Sequence, residues 1–170
     1  NYDLSNIPRI TVSSPNSKLA KEFINNSQPD IIIARCKVLL KNDIFSQART
    51  GTFIMHPGIC PEYRNSHGCF WSIVNQDYDK VGMTLLKINE GIDSGPIYGF
   101  YYVKDFNLLK ESHITIQHRA VFDNLESIQN KLLAVYEGKA TSIQPNNRNS
   151  KLWGQPWLSS YFKWKYNGKK

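Results

Sequence analysis

One histidine and one aspartate stand at two sharp turns of this chain, and their types suit proton-transfer chemistry. His56 follows the apolar residues 52–55 and precedes Pro57-Gly58, whereas Asp93 lies within residues 91–96, Gly-Ile-Asp-Ser-Gly-Pro. Proline lacks an amide donor and glycine relaxes the backbone, so each side chain is expected in a turn. A carboxylate in such a turn can orient an imidazole and make it a better proton acceptor from an amine. The pattern therefore indicates a general base held by a carboxylate.

Both side chains also have an ordinary structural explanation. A single histidine at the end of a strand is often a hydrogen-bonded structural residue rather than a catalyst. An aspartate beside glycines commonly bonds to its own backbone in a turn.

The apolar residues predict strands before and after the two turns. Residues 52–55 are typical of a buried strand, residues 81–88 alternate loosely, and residues 97–103 are rich in aromatic side chains. Residues 68–75 read as a short helix. Because open α/β sheets bind ligands at the carboxyl ends of their strands, His56 is expected at a binding edge.

The first fifty residues are predicted to alternate strands and helices. Residues 7–12 are expected to form a strand, and residues 17–28 a capped helix with apolar positions at helical spacing. The β-branched residues 30–35 indicate a parallel strand buried on both faces. A short helix is predicted around residues 43–47.

The last sixty residues are predicted to form one long helix followed by a tail. Residues 112–138 carry one amphipathic stripe, with Gly138 as a C-terminal stop and two histidines, His113 and His118, at the surface. Residues 139–170 are polar with spaced aromatic rings and show no helical or strand periodicity. We therefore predict a catalytic domain over residues 1–138 and an aromatic, basic tail over residues 139–170.

Three adjacent motifs resemble those of a known enzyme family. They are His56-Pro57, then Gly-Ile-Cys-Pro-Glu-Tyr-Arg at residues 58–64, then Gly-Ile-Asp-Ser-Gly-Pro-Ile at residues 91–97. At these residues the chain resembles the catalytic domain of formyltransferases that use 10-formyltetrahydrofolate. This family includes methionyl-tRNA, glycinamide ribonucleotide and sugar N-formyltransferases.

The resemblance implies a fold, a donor and a set of site residues. The expected fold is α/β, part of a doubly wound Rossmann-like formyltransferase sheet with flanking helices. His56 would be the general base or the oxyanion-stabilising group, and Asp93 would hold it in place. Arg64 and His67 would contact the substrate, with the loop carbonyls as the alternative partner of Arg64. The residues expected to bind 10-formyltetrahydrofolate are Ile33, Ala34, Ile54, Pro57, Gly58, Ile59, Gly91 and Ile92.

Two departures from the family pattern keep other functions open. The family has an asparagine two positions before the histidine, where this chain has Ile54. The family's phosphate-binding β-α-β-α segment has no counterpart here, so we expect this chain to lack the N-terminal half of the sheet. The leading hypothesis is formyl transfer to a primary amine of a small molecule, such as an amino sugar nucleotide. The alternatives are a non-catalytic binding module of the same fold and a hydrolase of the formyl donor.

Length and composition predict one domain in a reducing compartment. A chain of 170 residues, 41% of them hydrophobic, can bury one sizeable core. The three cysteines lack CxxC spacing, so neither a disulfide framework nor a metal site is predicted. No apolar run approaches the roughly 20 residues that span a bilayer, so no membrane partner is expected. A cytoplasmic location is the default.

The net charge of +7 permits an anionic partner but does not select one. Lysines at positions 163, 165, 169 and 170 alternate with aromatic rings, as in single-strand nucleic-acid binders. A solvated basic terminus is the preferred explanation. The 32 residues after Gly138 are too few for the β-barrel domain of the tRNA-specific members, so a nucleic-acid acceptor is not expected. An incomplete sheet would leave an edge strand unpaired, which predicts self-association.

Overall fold

A mixed four-stranded sheet lies at the centre of this chain, of which the computed structural model describes residues 5–167. The strands are β1 (Ile31–Ala34), β2 (Gly51–His56), β3 (Arg64–Asn65), β4 (Gly82–Lys87), β5 (Ile97–Tyr102) and β6 (Leu152–Trp153). The helices are α1 (Lys18–Ser27), α2 (Asn42–Phe45), α3 (Gly68–Val74), α4 (His113–Phe122), α5 (Leu125–Tyr136) and α6 (Leu158–Asn167). A single 3-10 turn covers Tyr78–Lys80. Lys169 and Lys170 of the predicted basic tail lie outside the described residues.

The sheet has the order β1-β2-β4-β5, with β1 and β2 parallel and the other two pairs antiparallel. Alternate residues of β2 enter two different apolar clusters, as the strand period of two requires. Phe53 lies in the larger cluster with residues of α3, α4 and α5, whereas Ile54 packs against Leu86 on the smaller one. The predicted α/β class with flanking helices is confirmed, as are the strands expected near residues 52–55, 81–88 and 97–103.

The prediction of a strand over residues 7–12 is wrong. These residues adopt no regular structure, and Ile7 and Ile10 are exposed. Pro8 removes one amide donor from the segment, and no described strand lies beside it to pair with the rest.

The burial expected for the next strand is also wrong. β1 is parallel to β2 as predicted, but the exposed fraction of Ile33 is 53%. The side chain of Ile33 lies on a face of this edge strand that the described residues leave largely uncovered. The self-association expected from an unpaired edge stays a prediction.

The long helix predicted over residues 112–138 is two helices. Asn124 separates α4 from α5, and its side-chain amide donates to Ala120 O (3.1 Å) and to Tyr102 O (3.3 Å). The amide thus satisfies a carbonyl at the end of α4 and ties the turn to β5, which favours a break that periodicity cannot reveal. Gly138, with a φ of 69°, lies in the left-handed conformation just beyond α5, which confirms the C-terminal stop predicted at this residue.

The predicted surface position is wrong for His113 and confirmed for His118. His113 is half-buried, with ring centroids 5.3 Å from Phe70 and 5.6 Å from Tyr161. Burial lowers the pKa of His113, and the neighbouring His67 lowers it further. His118 is exposed.

The tail is ordered, contrary to the prediction that it lacks regular structure. β6 pairs with β3 in parallel, and α6 packs against α3. Asn167, in the last turn of α6, is buried and donates to Ile73 O (3.2 Å) and Val74 O (3.3 Å) at the end of α3. These pairings join residues some ninety positions apart, which local periodicity does not encode. The division at residue 138 stays a prediction.

Two tryptophans of the tail provide a matched test of this packing. Trp164 is 2% exposed and belongs to the main core, whereas Trp157 is 81% exposed. We expect Trp164→Ala to lower the free energy of unfolding by about 3–5 kcal/mol, because it leaves a large cavity. Trp157→Ala is expected to change it by less than about 0.5 kcal/mol. Urea unfolding measures both, and equal effects of the two substitutions would contradict the packing of α6.

Candidate active site

His56 is the last residue of β2, and the chain makes a tight turn directly after it. His56 lies opposite Thr84 in the pairing of β2 with β4. Thr84 Oγ1 donates to Gly58 O (2.7 Å) and accepts from Cys60 N (2.9 Å). A Cβ at Gly58 would lie 2.4 Å from Tyr63 O and 2.9 Å from His56 Nε2, so only glycine permits this close approach. The turn therefore brings the backbone of residue 63 against the imidazole.

The His56 ring is held between a carbonyl and a carboxylate. Its Nε2 lies 2.7 Å from Tyr63 O, and its Nδ1 lies 3.3 Å from Asp93 Oδ2. A carbonyl oxygen only accepts, so Nε2 must carry the hydrogen. The other nitrogen, Nδ1, is then the basic atom of the neutral ring, and it becomes a donor to Asp93 when it is protonated. The side chain of His56 is only 3% exposed and that of Asp93 13%.

The aspartate is fixed by the loop that follows β4. Asn89 Oδ1 accepts hydrogen bonds from Gly91 N (3.0 Å) and Ser94 Oγ (3.1 Å), and so organises the turn. Asp93 itself adopts a φ of 44°, and its Oδ2 accepts from Asn65 N (2.8 Å). The contacts of this carboxylate thus run to another loop and to His56. They favour the active-site interpretation of Asp93 over that of a residue bonding its own turn.

Arg64 binds a loop carbonyl, which was one of its two expected partners. Its guanidinium donates to Ile92 O through Nε (2.8 Å) and Nη2 (2.6 Å), and to Ser150 Oγ through Nη1 (2.7 Å). Arg64 thereby ties the residue before Asp93 to the C-terminal segment. It lines a second, smaller cavity of about 420 Å³ that shares Asp93 with the first.

A cavity of about 640 Å³ opens over the His56–Asp93 pair. Seven of the predicted site residues line it: Ile54, His56, Pro57, His67, Gly91, Ile92 and Asp93. One group of lining residues is apolar and consists of Val38, Leu39, Leu40, Ile54, Leu86 and Ile88. Another group carries neutral polar side chains and consists of Asn65, Ser66, Asn89, Gln117 and Gln155. The cavity thus offers both an apolar and a hydrogen-bonding surface beside one basic nitrogen.

Four residues expected to bind the donor do not line this cavity. Ile33 and Ala34 belong to β1, and the chain reaches the cavity only after them, at Cys36. Gly58 and Ile59 lie in the buried turn beneath the imidazole, where Ile59 is fully buried. Their contribution is to shape the turn that places His56.

Several lining residues were not predicted from the sequence. Residues 36–40 follow β1 and enter the cavity beside the end of β2. A signal for them existed, because neighbouring parallel strands end at the same edge of a sheet. Gln117 comes from α4 and Gln155 from the tail, and no local signal marks either of them.

Over residues 5–167, no group of three or more His, Cys, Asp or Glu side chains is arranged to hold a metal ion. No helix within the same residues has the length and apolar character needed to cross a bilayer.

The fold matches that of solved formyltransferases. A sugar N-formyltransferase from Shewanella superposes with a TM-score of 0.64 at 17% identity, covering 87% of this chain and 63% of that one. The formyltransferase PseJ from Anoxybacillus kamchatkensis, solved with a UDP-linked formamido sugar and tetrahydrofolate, gives a TM-score of 0.59 at 18% identity. That match covers 94% of this chain and 76% of the other. The similarity defines the fold of the chain as the α/β fold of these formyltransferases.

Sequence comparison agrees with the fold. The formyl transferase family model matches residues 9–127, and the chain belongs to this family. A methionyl-tRNA formyltransferase from Thermotoga neapolitana is 27% identical over 130 residues, which cover 73% of this chain and 41% of that protein. The chain therefore spans less than half the length of this curated relative. The resemblance inferred from residues 56–64 and 91–97 is confirmed at the level of the family.

The thiols provide a test of the buried turn and the open cavity. Cys36 is exposed at the cavity, whereas Cys60 and Cys69 are buried. The pKa of each buried thiol is raised to about 12, by burial at both positions and, at Cys60, also by the nearby Asp93 carboxylate. We expect a disulfide reagent to modify Cys36 rapidly in the native protein, and all three thiols only after denaturation. Cys36→Ser should remove the rapid phase, and rapid labelling of Cys60 would contradict the closed turn.

Proposed function

We propose that this chain carries the donor site and the proton-transfer pair of a folate-dependent formyltransferase. The proposed reaction moves a formyl group from N10 of 10-formyltetrahydrofolate to a primary amine of a small molecule. The observation that carries the proposal is the His56–Asp93 pair on the wall of a 640 Å³ cavity, within the segment that matches the family.

The apolar group of lining residues suits the donor. Flat bicyclic rings bind in clefts with mostly apolar walls and a few polar groups, and Leu39, Ile54 and Leu86 supply such a surface here. Two family structures support a folate-type ligand. The PseJ structure contains tetrahydrofolate, and an N-formyltransferase from Helicobacter canadensis was solved with folinic acid and dTDP-3-aminofucose.

The tautomer of His56 defines its proposed role. The hydrogen bond from Nε2 to Tyr63 O keeps the hydrogen on Nε2, so Nδ1, which lies 3.3 Å from Asp93 Oδ2, is the ring atom left to accept a proton. The amine nitrogen attacks the formyl carbon, and Nδ1 accepts a proton from that nitrogen. The imidazolium formed is stabilised by Asp93 Oδ2. The proton then passes to N10 as the bond between N10 and the formyl carbon breaks.

The polar group of lining residues suits the hydroxyl groups of a sugar acceptor. Asn65, Ser66, Gln117 and Gln155 offer uncharged donors and acceptors. Among the described residues that line the cavity, Lys37 is the only Lys or Arg, and it belongs to the segment after β1. An amino sugar, such as one attached to a nucleotide, fits this chemistry, and the sugar N-formyltransferase neighbours support it.

Ile54 favours a second candidate function. It occupies the position of the family's asparagine, two residues before His56 and on the same face of β2, and it lines the cavity without a hydrogen-bonding group. A chain that binds the donor but transfers slowly, or not at all, would have this arrangement. Hydrolysis of the donor uses the same pair with water in place of the amine, and released formate distinguishes it from a formylated amine.

Three substitutions at the pair and at Ile54 test the proposal. We expect His56→Ala and Asp93→Asn to abolish formyl transfer from 10-formyltetrahydrofolate to an amino sugar nucleotide. Ile54→Asn should raise the rate by up to about 10²-fold, because a hydrogen-bond donor beside a developing oxyanion is worth about that factor. A discontinuous assay that separates formate from formylated amine measures both products.

Two control substitutions separate an effect on formyl transfer from a general effect of changing a side chain. Ile54→Leu changes the shape of the residue without adding a donor and should leave the rate within about threefold. His118→Ala removes an exposed histidine of α4 and should have no effect. Transfer that is indifferent to the substitutions at all three site positions would overturn the proposed enzyme.

A further inference from the structure

One loop holds both members of the His56–Asp93 pair. The site loop, residues 62–66, supplies Tyr63 O to His56 Nε2 (2.7 Å) and Asn65 N to Asp93 Oδ2 (2.8 Å). Arg64 of the same loop donates two hydrogen bonds to Ile92 O, next to Asp93. A displacement of this loop therefore disturbs hydrogen bonds that position both the base and its carboxylate. The position of the loop is a condition for the proposed chemistry.

The backbone of the site loop is paired with the C-terminal segment. This segment, residues 148–155, is called here the C-terminal strap. Through the β3–β6 pairing, Arg64 N donates to Lys151 O (3.1 Å) and Ser66 N donates to Trp153 O (3.2 Å). Lys151 N donates in turn to Pro61 O (3.0 Å). The loop thus obtains strand-like hydrogen bonds from a part of the chain some ninety residues away.

Trp153 of the strap is packed into the loop by rings and by a hydrogen bond. Its ring stacks on Tyr63 (5.7 Å between centroids) and on Trp71 (4.8 Å), and Lys151 Nζ lies 3.8 Å from its centroid. Its Nε1 donates to Glu62 O (2.8 Å). Successive carbonyls of one loop therefore bind Trp153 and His56. The carbonyl that accepts from Trp153 and the carbonyl that accepts from His56 thus belong to neighbouring residues, Glu62 and Tyr63.

Arg148 fixes the other end of the strap. Its guanidinium forms a two-pronged ion pair with Glu62, through Nε to Oε1 (2.9 Å) and Nη2 to Oε2 (2.6 Å). Both side chains are largely shielded from water, with exposed fractions of 26% and 18%. A forked pair constrains direction as well as distance, which a single lysine contact does not.

We propose that the C-terminal strap is a positioning element of the active site, with Trp153 and Arg148 as its positioning residues. The inference rests on the proposed function for its effect on catalysis. The strap lies beyond residues 9–127, the part of the chain that matches the family, so the pair is completed by residues outside that segment. Side chains that support a catalytic group in this way fix its geometry without touching the substrate.

The first test observes the His56 ring and needs no activity. Nitrogen-edited NMR of the imidazole reports the Nε2 hydrogen, which should exchange slowly in the wild type because it is buried and bonded to Tyr63 O. We expect Trp153→Phe, which keeps a ring but removes the bond to Glu62 O, to shift this signal and accelerate its exchange. Trp157→Phe, at an exposed tryptophan of the tail, should leave the signal unchanged.

The second test measures catalysis and donor binding separately. A displacement of about 1 Å at a catalytic group costs on the order of 10²-fold in rate, so kcat of Trp153→Phe and Arg148→Gln should fall by about that factor. The dissociation constant for 5-formyltetrahydrofolate should change by less than about threefold, since neither residue lines the main cavity. Arg148→Lys, which keeps the charge but loses the fork, should recover part of the rate.

The two measurements distinguish a failure of the positioning role of the strap from a failure of the proposed formyl transfer. Variants that are folded, by circular dichroism and thermal unfolding, and that retain the wild-type His56 signal would overturn the positioning role. A wild-type protein without formyl transfer would overturn the proposed function, while the NMR comparison would still decide whether the strap positions the imidazole. A fall in kcat matched by an equal fall in Trp157→Phe would also contradict the proposal.

Discussion

The hydrogen bond between His56 Nε2 and Tyr63 O is the contact on which the site depends. It settles which ring nitrogen carries the hydrogen, and therefore which nitrogen faces Asp93 as a base. It exists because the chain turns sharply at Gly58 and brings residue 63 back to the imidazole. The hydroxyl of Thr84 donates to Gly58 O and so stabilises the turn. The same loop then supplies the amide that holds Asp93. The turn at Gly58 and the loop after it thus position both side chains of the proposed proton-transfer pair.

Local sequence signals were sufficient for the centre of the site. Pro57-Gly58 and the glycines around Asp93 mark the two turns, and the apolar residues 52–55 mark the strand that ends at His56. These signals act over a few residues, because backbone preferences of proline and glycine are local. The motifs that resemble the formyltransferases span the same turns, which is why the family could be inferred from them and then confirmed over residues 9–127.

The surroundings of the site could not be predicted because they depend on contacts distant in sequence. Residues 36–40 reach the cavity through the pairing of β1 with β2, and Gln155 reaches it through the pairing of β6 with β3. The tail has no periodicity of its own, yet Trp153 is held by the ring of Trp71 and by the carbonyl of Glu62. Likewise, the break at Asn124 is favoured by a bond to β5 that no helical pattern contains.

The central claim is that a folate donor binds beside the His56–Asp93 pair, and calorimetric titration with 5-formyltetrahydrofolate tests it most directly. This compound is a stable analogue of the donor. The account predicts micromolar binding by the wild-type chain and loss of that binding in Asp93→Ala, with the fold of the variant verified by circular dichroism. The absence of binding by a folded wild-type chain, or equal binding by Asp93→Ala, would contradict it.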